Sequence, residues 1–401
     1  MTFLKEVESA ASGIEGQILR TPLVISPTFS RIFGAEIYLK LENLQNTGSF
    51  KIRGATHKLV TNLSRIGAAG VVAASAGNHA QGVALAAGRL GIHATIVMPE
   101  WASISKQEAA RAYGGSILIF GKSVDESLAK AKELAENGAM LIHPFDDPEV
   151  IAGQGTIGLE ILSQLHNPDL IVTPVGGGGL ISGIAAVAKS INPGIKIIGV
   201  QTRSCPSAIH ARRNNAPLPV GSSASLADGI NVKKIGDRTF EIIQKYVDDL
   251  VAVPEESIAS AVLMLLERKK ILAEGAGAVP LAALLEGLIS VPPGGRVVLV
   301  ISGGNIDTPL IGRILNQGLT KHSRIMRLSV ILEDIPGSLA SFLEHLARLK
   351  ANVLHIRHDR NLSDLPFNLS RVALELETRG AEHIDEIAKT LIRQAYQIEL
   401  S

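Results

Sequence analysis

Aromatic residues make up only 3% of this 401-residue chain, a scarcity that removes the stacking platforms used to hold single-stranded nucleic acid. An excess of one charge is also missing. The 39 Lys and Arg face 38 Asp and Glu, so no basic footprint for a phosphate backbone exists. A single cysteine, Cys205, excludes an internal disulfide framework and fits a reducing, cytoplasmic setting. No apolar run reaches the ~20 residues that span a bilayer. The start, Met1 to Glu8, has acids where a secretion signal has a basic and then an apolar region, so no signal peptide is expected. These absences leave small molecules as the expected partners, with no nucleic acid and no membrane.

What is abundant is apolar material, 46% of residues, more than one small core organises, so two or three domains are expected. From about Ala69 onward, short runs rich in Val, Ile and Ala alternate with helix-period segments, the pattern of strand, crossover helix and strand in a parallel sheet. Strands are predicted at 70–74, 93–98, 117–120, 170–175, 196–201 and 296–301, with helices at 78–90 and 257–269 among the connections. The chain therefore reads as an α/β protein. After Leu319 the polar stretch Lys321, His322, Ser323 and Arg324 marks a junction, and the rhythm shortens. Strand 326–332, helix 337–349, strands 353–360 and 369–377, helix 384–393 and strand 396–400 follow. That βαββαβ order is ferredoxin-like.

Four segments place polar groups where chemistry is possible. In Thr47-Gly48-Ser49-Phe50-Lys51-Ile52-Arg53-Gly54-Ala55, Ser49 is expected to cap a helix through Thr56 and Leu59, with Lys51 and Arg53 in its first turn. The positive helix end disfavours an ammonium there, so Lys51 should have a depressed pKa and react readily with a carbonyl. A lone lysine is ordinarily a solvated surface group, and only its neighbours can decide otherwise. Thr173-Pro174-Val175-Gly176-Gly177-Gly178-Gly179-Leu180-Ile181-Ser182-Gly183 follows a strand and opens a helix, where bare N–H groups can hold a phosphate. No register of it fits G-x-G-x-x-G, and the next strand ends in Gln201 where a ribose-binding acid belongs, so a dinucleotide is disfavoured. Ala74-Ser75-Ala76-Gly77-Asn78-His79-Ala80-Gln81-Gly82 suits a carboxylate or a polar ring edge at a helix start. Ile301-Ser302-Gly303-Gly304-Asn305 ends another strand in the same style. Gly121-Lys122-Ser123 only grazes a P-loop, because Ser116 stands where its first glycine is required.

Taken together, the four segments resemble the fold-type-II pyridoxal-phosphate enzymes, and among them the threonine dehydratases (threonine ammonia-lyases), from about residue 15 to 315. The resemblance implies a catalytic region of residues 1–320, built on two open, twisted, mainly parallel sheets, with a small subdomain of about 50–150 inserted in a larger one. It implies that Lys51 carries pyridoxal 5'-phosphate covalently beside Phe50, and that Asn78 meets the ring hydroxyl. Backbone N–H groups of Gly176, Gly177, Gly178, Gly179 and Leu180 would hold the phosphate, and Ser302 would face the ring nitrogen. The substrate carboxylate would rest on Ser75, Ala76, Gly77 and His79, helped by Thr47 and Gln81. A neutral hydroxyl against the ring nitrogen weakens the electron sink and favours prompt loss of a β-substituent. Threonine would yield 2-oxobutanoate and ammonia, and serine would yield pyruvate, since a pocket discriminates one methyl weakly.

Serine racemases are similar, but they carry a proton-bearing serine where Ala76 stands, so elimination with little racemisation is expected. Their carboxylate metal site has no counterpart in Gln201 to Ser207, and no metal is expected. Glu274, in Ala273-Glu274-Gly275-Ala276-Gly277-Ala278, falls near the cofactor on the same resemblance.

Residues 325–401 resemble an ACT domain, an amino-acid-sensing module. Its first strand-to-helix turn, with Asp334, Ile335, Pro336, Gly337, Ser338 and Leu339, offers free N–H groups to an effector's carboxylate. Isoleucine or valine is the expected effector, in keeping with a place in isoleucine synthesis, and such modules pair across the subunits of a dimer or homotetramer. The alternatives are a serine racemase and an amino-acid-binding regulator with a vestigial catalytic part. The intact set of Lys51, Asn78, the glycine loop and Ser302 argues against the regulator.

Overall fold

The computed structural model describes residues 3–321, 323–360 and 365–400. Their contacts separate into two compact units, one ending at Asp307 and one beginning at Thr308. Of the polar stretch read as a junction, Lys321, Ser323 and Arg324 lie inside the second unit, and His322 falls outside the described residues.

In the first unit the strands are β1 (Leu23–Ile25), β2 (Glu36–Leu41), β3 (Val71–Ala74), β4 (Ala94–Met98), β5 (Ser116–Ile119), β6 (Met140–Leu141), β7 (Leu170–Pro174), β8 (Lys196–Thr202), β9 (Asp249–Val253) and β10 (Arg296–Ile301). A six-stranded sheet has the order β1-β2-β10-β7-β8-β9, parallel throughout except for β1, which runs antiparallel to β2. The smaller sheet, β5-β4-β3-β6, is wholly parallel. Helices on both faces bury the central strands, which is why β7 and β10 read as unbroken apolar runs. The sequence reading begins at Ala69 and so does not contain β1 and β2; the alternating polarity of Glu36-Ile37-Tyr38-Leu39-Lys40-Leu41 hides a strand next to the sheet centre.

Close backbone contact places the helix Lys51–Thr61. It crosses the helix Pro148–Gln164 at Gly54 and Gly153, where a methyl on Gly153 would stand 2.6 Å from the Gly54 Cα. Any side chain would force the helices apart and carry Lys51 with them. Beside this crossing the fully buried Arg53 fills a socket of carboxylates. Its Nε and Nη2 each lie 2.7 Å from Glu42, and its Nη1 lies 2.6 Å from Glu160, which also holds the buried Lys40 at 2.5 Å. Burial alone would lower the Arg53 pKa, but the two carboxylates override it and raise it. In Lys40 burial wins and the pKa is lowered.

The second unit opens with the helix Thr308–Lys321. Then come β11 (Ile325–Glu333), the helix Ser338–Arg348, β12 (Asn352–Asp359), β13 (Leu369–Glu377), the helix Ala381–Arg393 and β14 (Gln397–Leu400). Its sheet is antiparallel, β12-β13-β11-β14. One face is a core of alternating residues, Leu328 and Val330 on β11 with Val372 and Leu374 on β13, against Phe342 and Leu391 of the two helices. Period-2 patterning predicts this face, and the βαββαβ order matches the sequence reading. Among the described residues no helix is long and apolar enough to cross a membrane.

Candidate active site

The site lies where the two sheets of the first unit present the C-terminal ends of β3, β7 and β10. Lys51 opens its helix, and its Nζ donates to the Pro144 carbonyl at 2.9 Å and lies 5.2 Å from the Phe50 ring centre. Burial pulls the Lys51 pKa down to about 8, with Glu274 opposing. The depressed pKa matches the expectation, but its cause is burial and not the helix end.

One local expectation is corrected. The helix is capped by Phe50, with no side-chain bond, and Ser49 stands one residue outside, paired across an antiparallel bridge with Gly303. This pairing takes Ser49 away from the helix end: Phe50 N donates to Ser302 O at 3.1 Å and Gly304 N to Gly48 O at 2.8 Å. The lysine turn and the Ser302 turn are thus zipped together, with Ser302 only 2% exposed.

The glycine loop follows β7. Gly178 has φ +97° and caps the helix Gly179–Ile191 without a side chain, which leaves the N–H groups of the first turn, Leu180 included, open to an anion. A Cβ on Gly177 would stand 2.3 Å from the Phe145 ring. The Gly177 carbonyl is tied back by Thr239 Oγ1 at 2.7 Å and Gly236 N at 3.2 Å, so the peptide orientations of the loop are fixed before any ligand arrives.

Asn78 begins the helix Asn78–Arg89, and its Nδ2 donates to both oxygens of Glu274, at 2.8 and 3.0 Å. Burial pushes the Glu274 carboxyl up to about 7, against the Asn78 hydrogen bond. The sequence leaves the role of Glu274 open, and the structure makes it the partner of Asn78. Before this helix, Ser75 Oγ accepts from Gly77 N at 3.1 Å, and Ala76 is buried. The His79 ring is spent on Ile142 O at 2.8 Å, and burial together with Lys51 takes its pKa down to about 3. A carboxylate on this turn therefore meets backbone N–H groups and not an imidazolium. Gln81 and Thr47 are buried, and Thr47 Oγ1, like Ser49 Oγ, has no partner among the described residues.

Sequence reasoning missed the turn His143 to Asp146. His143 Nδ1 accepts from Phe145 N at 3.3 Å and from Asp146 N at 2.8 Å, so the ring proton is on Nε2. Burial takes the His143 pKa down to about 4, which keeps that acceptor available at neutral pH. Pro144 then faces Lys51, Phe145 faces Gly177, and Asp146 accepts from the N–H groups of Asp237, Arg238 and Thr239. The Pro144 bond is a main-chain one, which no residue type announces. Gln201 spends its amide on Val175 O, Ser207 Oγ and the N–H groups of Ala208 and Ile209.

In the second unit, Asp334 to Leu339 line a pocket of about 500 Å³ together with His358, Arg360 and Ser370. Gly337, at φ +93°, caps the helix Ser338–Arg348 without a side chain, and Arg360 Nε lies 3.0 Å from Asp334.

Comparison with known proteins bears on this geometry. Residues 14–303 match the family model of the pyridoxal-phosphate dependent enzymes. An L-threonine ammonia-lyase of Thermotoga maritima is 48% identical over 401 residues, 100% of both chains. The chain belongs to the pyridoxal-phosphate-dependent enzymes. Among solved structures, threonine deaminase isoform 2 from Solanum lycopersicum, in its processed form, superposes with a TM-score of 0.73 at 36% identity, covering 78% of this chain and 92% of that one. Maize serine racemase gives 0.74 at 33% identity, covering 80% and 98%.

The chain is thus an enzyme whose cofactor is pyridoxal phosphate, and the residues present fit that group. They offer a desolvated amine, an uncapped glycine cradle with no room for side chains, and two orphaned hydroxyls, Thr47 and Ser49, in the turn that carries the amine.

Proposed function

We propose that this enzyme deaminates L-threonine to 2-oxobutanoate and ammonia, with L-serine as a second substrate giving pyruvate. The observation that carries the reading is the pairing of Lys51, a buried amine of lowered pKa, with Ala76, which has no proton to give. Full-length likeness to the Thermotoga maritima L-threonine ammonia-lyase supports the choice of substrate.

In this reading Lys51 carries the cofactor, the glycine loop Gly176 to Leu180 holds its phosphate, Asn78 meets its ring hydroxyl and Ser302 meets its ring nitrogen. Bound there, pyridoxal phosphate withdraws electron density from the Cα of the amino acid. The turn Ser75 to His79 receives the substrate carboxylate through backbone N–H groups, with Thr47 and Gln81 at its edge. The free Lys51 amine takes the Cα proton, and return of a proton to the β-hydroxyl lets it leave as water, so that no net proton is gained or lost. The released enamine hydrolyses in solution to the 2-oxo acid and ammonia.

The experiment is to measure 2-oxobutanoate and ammonia from threonine with the parent enzyme and with Lys51→Ala. A fall of about 10²–10⁴-fold or more is expected; ammonia release that survives the substitution sinks the assignment. Chiral analysis of a serine reaction addresses the likeness to serine racemase. Ala76 calls for pyruvate without D-serine, and accumulating D-serine would place the enzyme with the racemases.

The second unit, in this reading, is an ACT domain that takes isoleucine or valine in the pocket at Asp334 to Leu339 and pairs across subunits of a homo-oligomer. The uncapped helix start at Ser338 and the Asp334–Arg360 pair support it, since they offer N–H donors and both charges to an amino acid. Threonine kinetics with added isoleucine or valine should change for the parent and change less for Asp334→Ala. Indifference of the parent to both amino acids counts against an effector site.

A further inference from the structure

Asn305 lies four residues beyond the end of β10 and reaches back across the site. Its Nδ2 stands 2.8 Å from the carbonyl oxygen of Thr47 and 2.7 Å from Asn78 Oδ1. A main-chain carbonyl can only accept, so Thr47 fixes which end of the Asn305 side chain carries the hydrogens. Those hydrogens in turn fix Asn78, with its oxygen toward Asn305 and its nitrogen toward Glu274. Two amides whose O and N look alike are thereby oriented by one unambiguous acceptor.

The backbone is built to admit this contact. Gly48 has φ +68°, and a Cβ there would stand 2.4 Å from Asn305 Oδ1. Any residue other than glycine at 48 would be strained and would also displace the Asn305 amide. The glycine next to Ser49 thus serves an asparagine that is 257 positions away, since 305 minus 48 is 257.

The two Glu274 oxygens subtend a narrow angle at Asn78 Nδ2 and share one of its hydrogens, which leaves the other without an acceptor. We propose that Asn305 is a positioning residue which holds Asn78 so that this second N–H is presented to the ring oxygen of pyridoxal phosphate and favours that oxygen in its deprotonated, accepting form. Asn305 transfers no proton and does not touch the cofactor. The inference rests on the reading that Asn78 meets the ring hydroxyl. Without Asn305, Asn78 Oδ1 loses its donor and Glu274 alone holds the amide, which can then turn its acceptor toward the ring.

The test is an absorbance titration of the bound cofactor in the holoenzyme, with thermal stability read alongside. Asn305→Ala should move the titration midpoint upward by about one pH unit, a tenfold change in that equilibrium. Asn305→Asp, which offers an acceptor where the donor was, should move it at least as far. Asn78→Ala should itself shift the midpoint, and Asn305→Ala should then add nothing on top of it, because residues acting through one another are not additive.

The outcomes separate cleanly. An unchanged titration in Asn78→Ala means that Asn78 does not meet the ring oxygen, and the underlying reading falls. A shift in Asn78→Ala with none in Asn305→Ala or Asn305→Asp overturns the inference alone, as does an Asn305→Ala shift that persists in full in the Asn78→Ala background. Lower stability without a spectral change counts against it equally. Should Asn305→Ala lose the cofactor, Asn305→Gln, with both amide groups on a longer stem, is read by the same criteria. Glu274 titrates nearby, so Asn305→Ala is also read in the Glu274→Gln background; a shift that vanishes there belongs to Glu274 and overturns the inference.

Discussion

The Lys51 amine lies 2.9 Å from the carbonyl oxygen of Pro144, and that carbonyl is aimed by His143, whose Nδ1 takes the N–H groups of Phe145 and Asp146. A lysine that is to exchange a proton must be kept short of water and long enough in one place to react. Burial supplies the first condition, and the Pro144 oxygen supplies the second. The same short turn presses Phe145 on Gly177, so the amine and the glycine loop share one support.

A pH dependence follows. Burial holds Lys51 at about 8, so about a tenth of it is unprotonated at pH 7, against far less for an ordinary lysine. Capture of pyridoxal by the cofactor-free protein, followed by absorbance, should speed up with rising pH through about 8 and level off above it. A profile still climbing toward 10.5, the ordinary lysine value, would show that the amine is not desolvated.

Glu274 titrates in the opposite sense. Burial raises its folded pKa to about 7 from the ordinary 4.5, so its proton stabilises the fold fully below about 4.5 and that stability is lost as pH rises through 7. Glu274→Gln keeps an acceptor for Asn78 and removes the charge. The cofactor-free variant should melt like the parent at acidic pH and above it near pH 8, by up to about 3 kcal/mol. Its pyridoxal-capture midpoint should also fall below that of the parent, because Glu274 is the group that raises Lys51. Equal melting at both pH values would show that Glu274 is not buried as a charge.

Features written in neighbouring residues were legible in the sequence. The glycine loop and Asn78 sit at strand-to-helix turns, where small residues and a bare helix start mean the same thing in any fold. Features made by distant residues were not. The Arg53 socket joins positions 42, 53 and 160, and read locally Arg53 looked like a cation at the wrong end of a helix. Ser49 looked like a cap because nothing nearby reveals that Gly303 pairs with it. Pro144 contributes a carbonyl, which every residue has, and its direction comes from a histidine that reads as ordinary. The strand β2 alternates in polarity because Lys40 enters a buried ion pair, so its period reports half-exposure while its neighbours bury it.

Arg53 therefore carries a strong stability prediction. Arg53→Met leaves Glu42, wholly buried, and Glu160, 14% exposed, without their shared partner. Breaking a buried pair from one side costs about 3–5 kcal/mol, and urea unfolding should show a loss of that size. Arg53→Lys should recover only part of it, because one ammonium cannot engage both carboxylates as the guanidinium fork does. A loss below about 1 kcal/mol would mean that water reaches the socket.

The proposed phosphate cradle is tested most directly at Gly178. At φ +97° an alanine is strained, and its Cβ would meet Thr239 Oγ1 at 2.7 Å. Holding an L residue in a disfavoured backbone region costs about 1–3 kcal/mol, and relief of that strain would reorient the peptide N–H groups that flank Gly178. Gly178→Ala should therefore weaken pyridoxamine phosphate, which cannot bond to Lys51, by about tenfold or more. Pyridoxamine, lacking the phosphate, should bind parent and variant alike. If both ligands weaken together, the substitution has disturbed the whole site, and the loop does not act as a dedicated phosphate cradle.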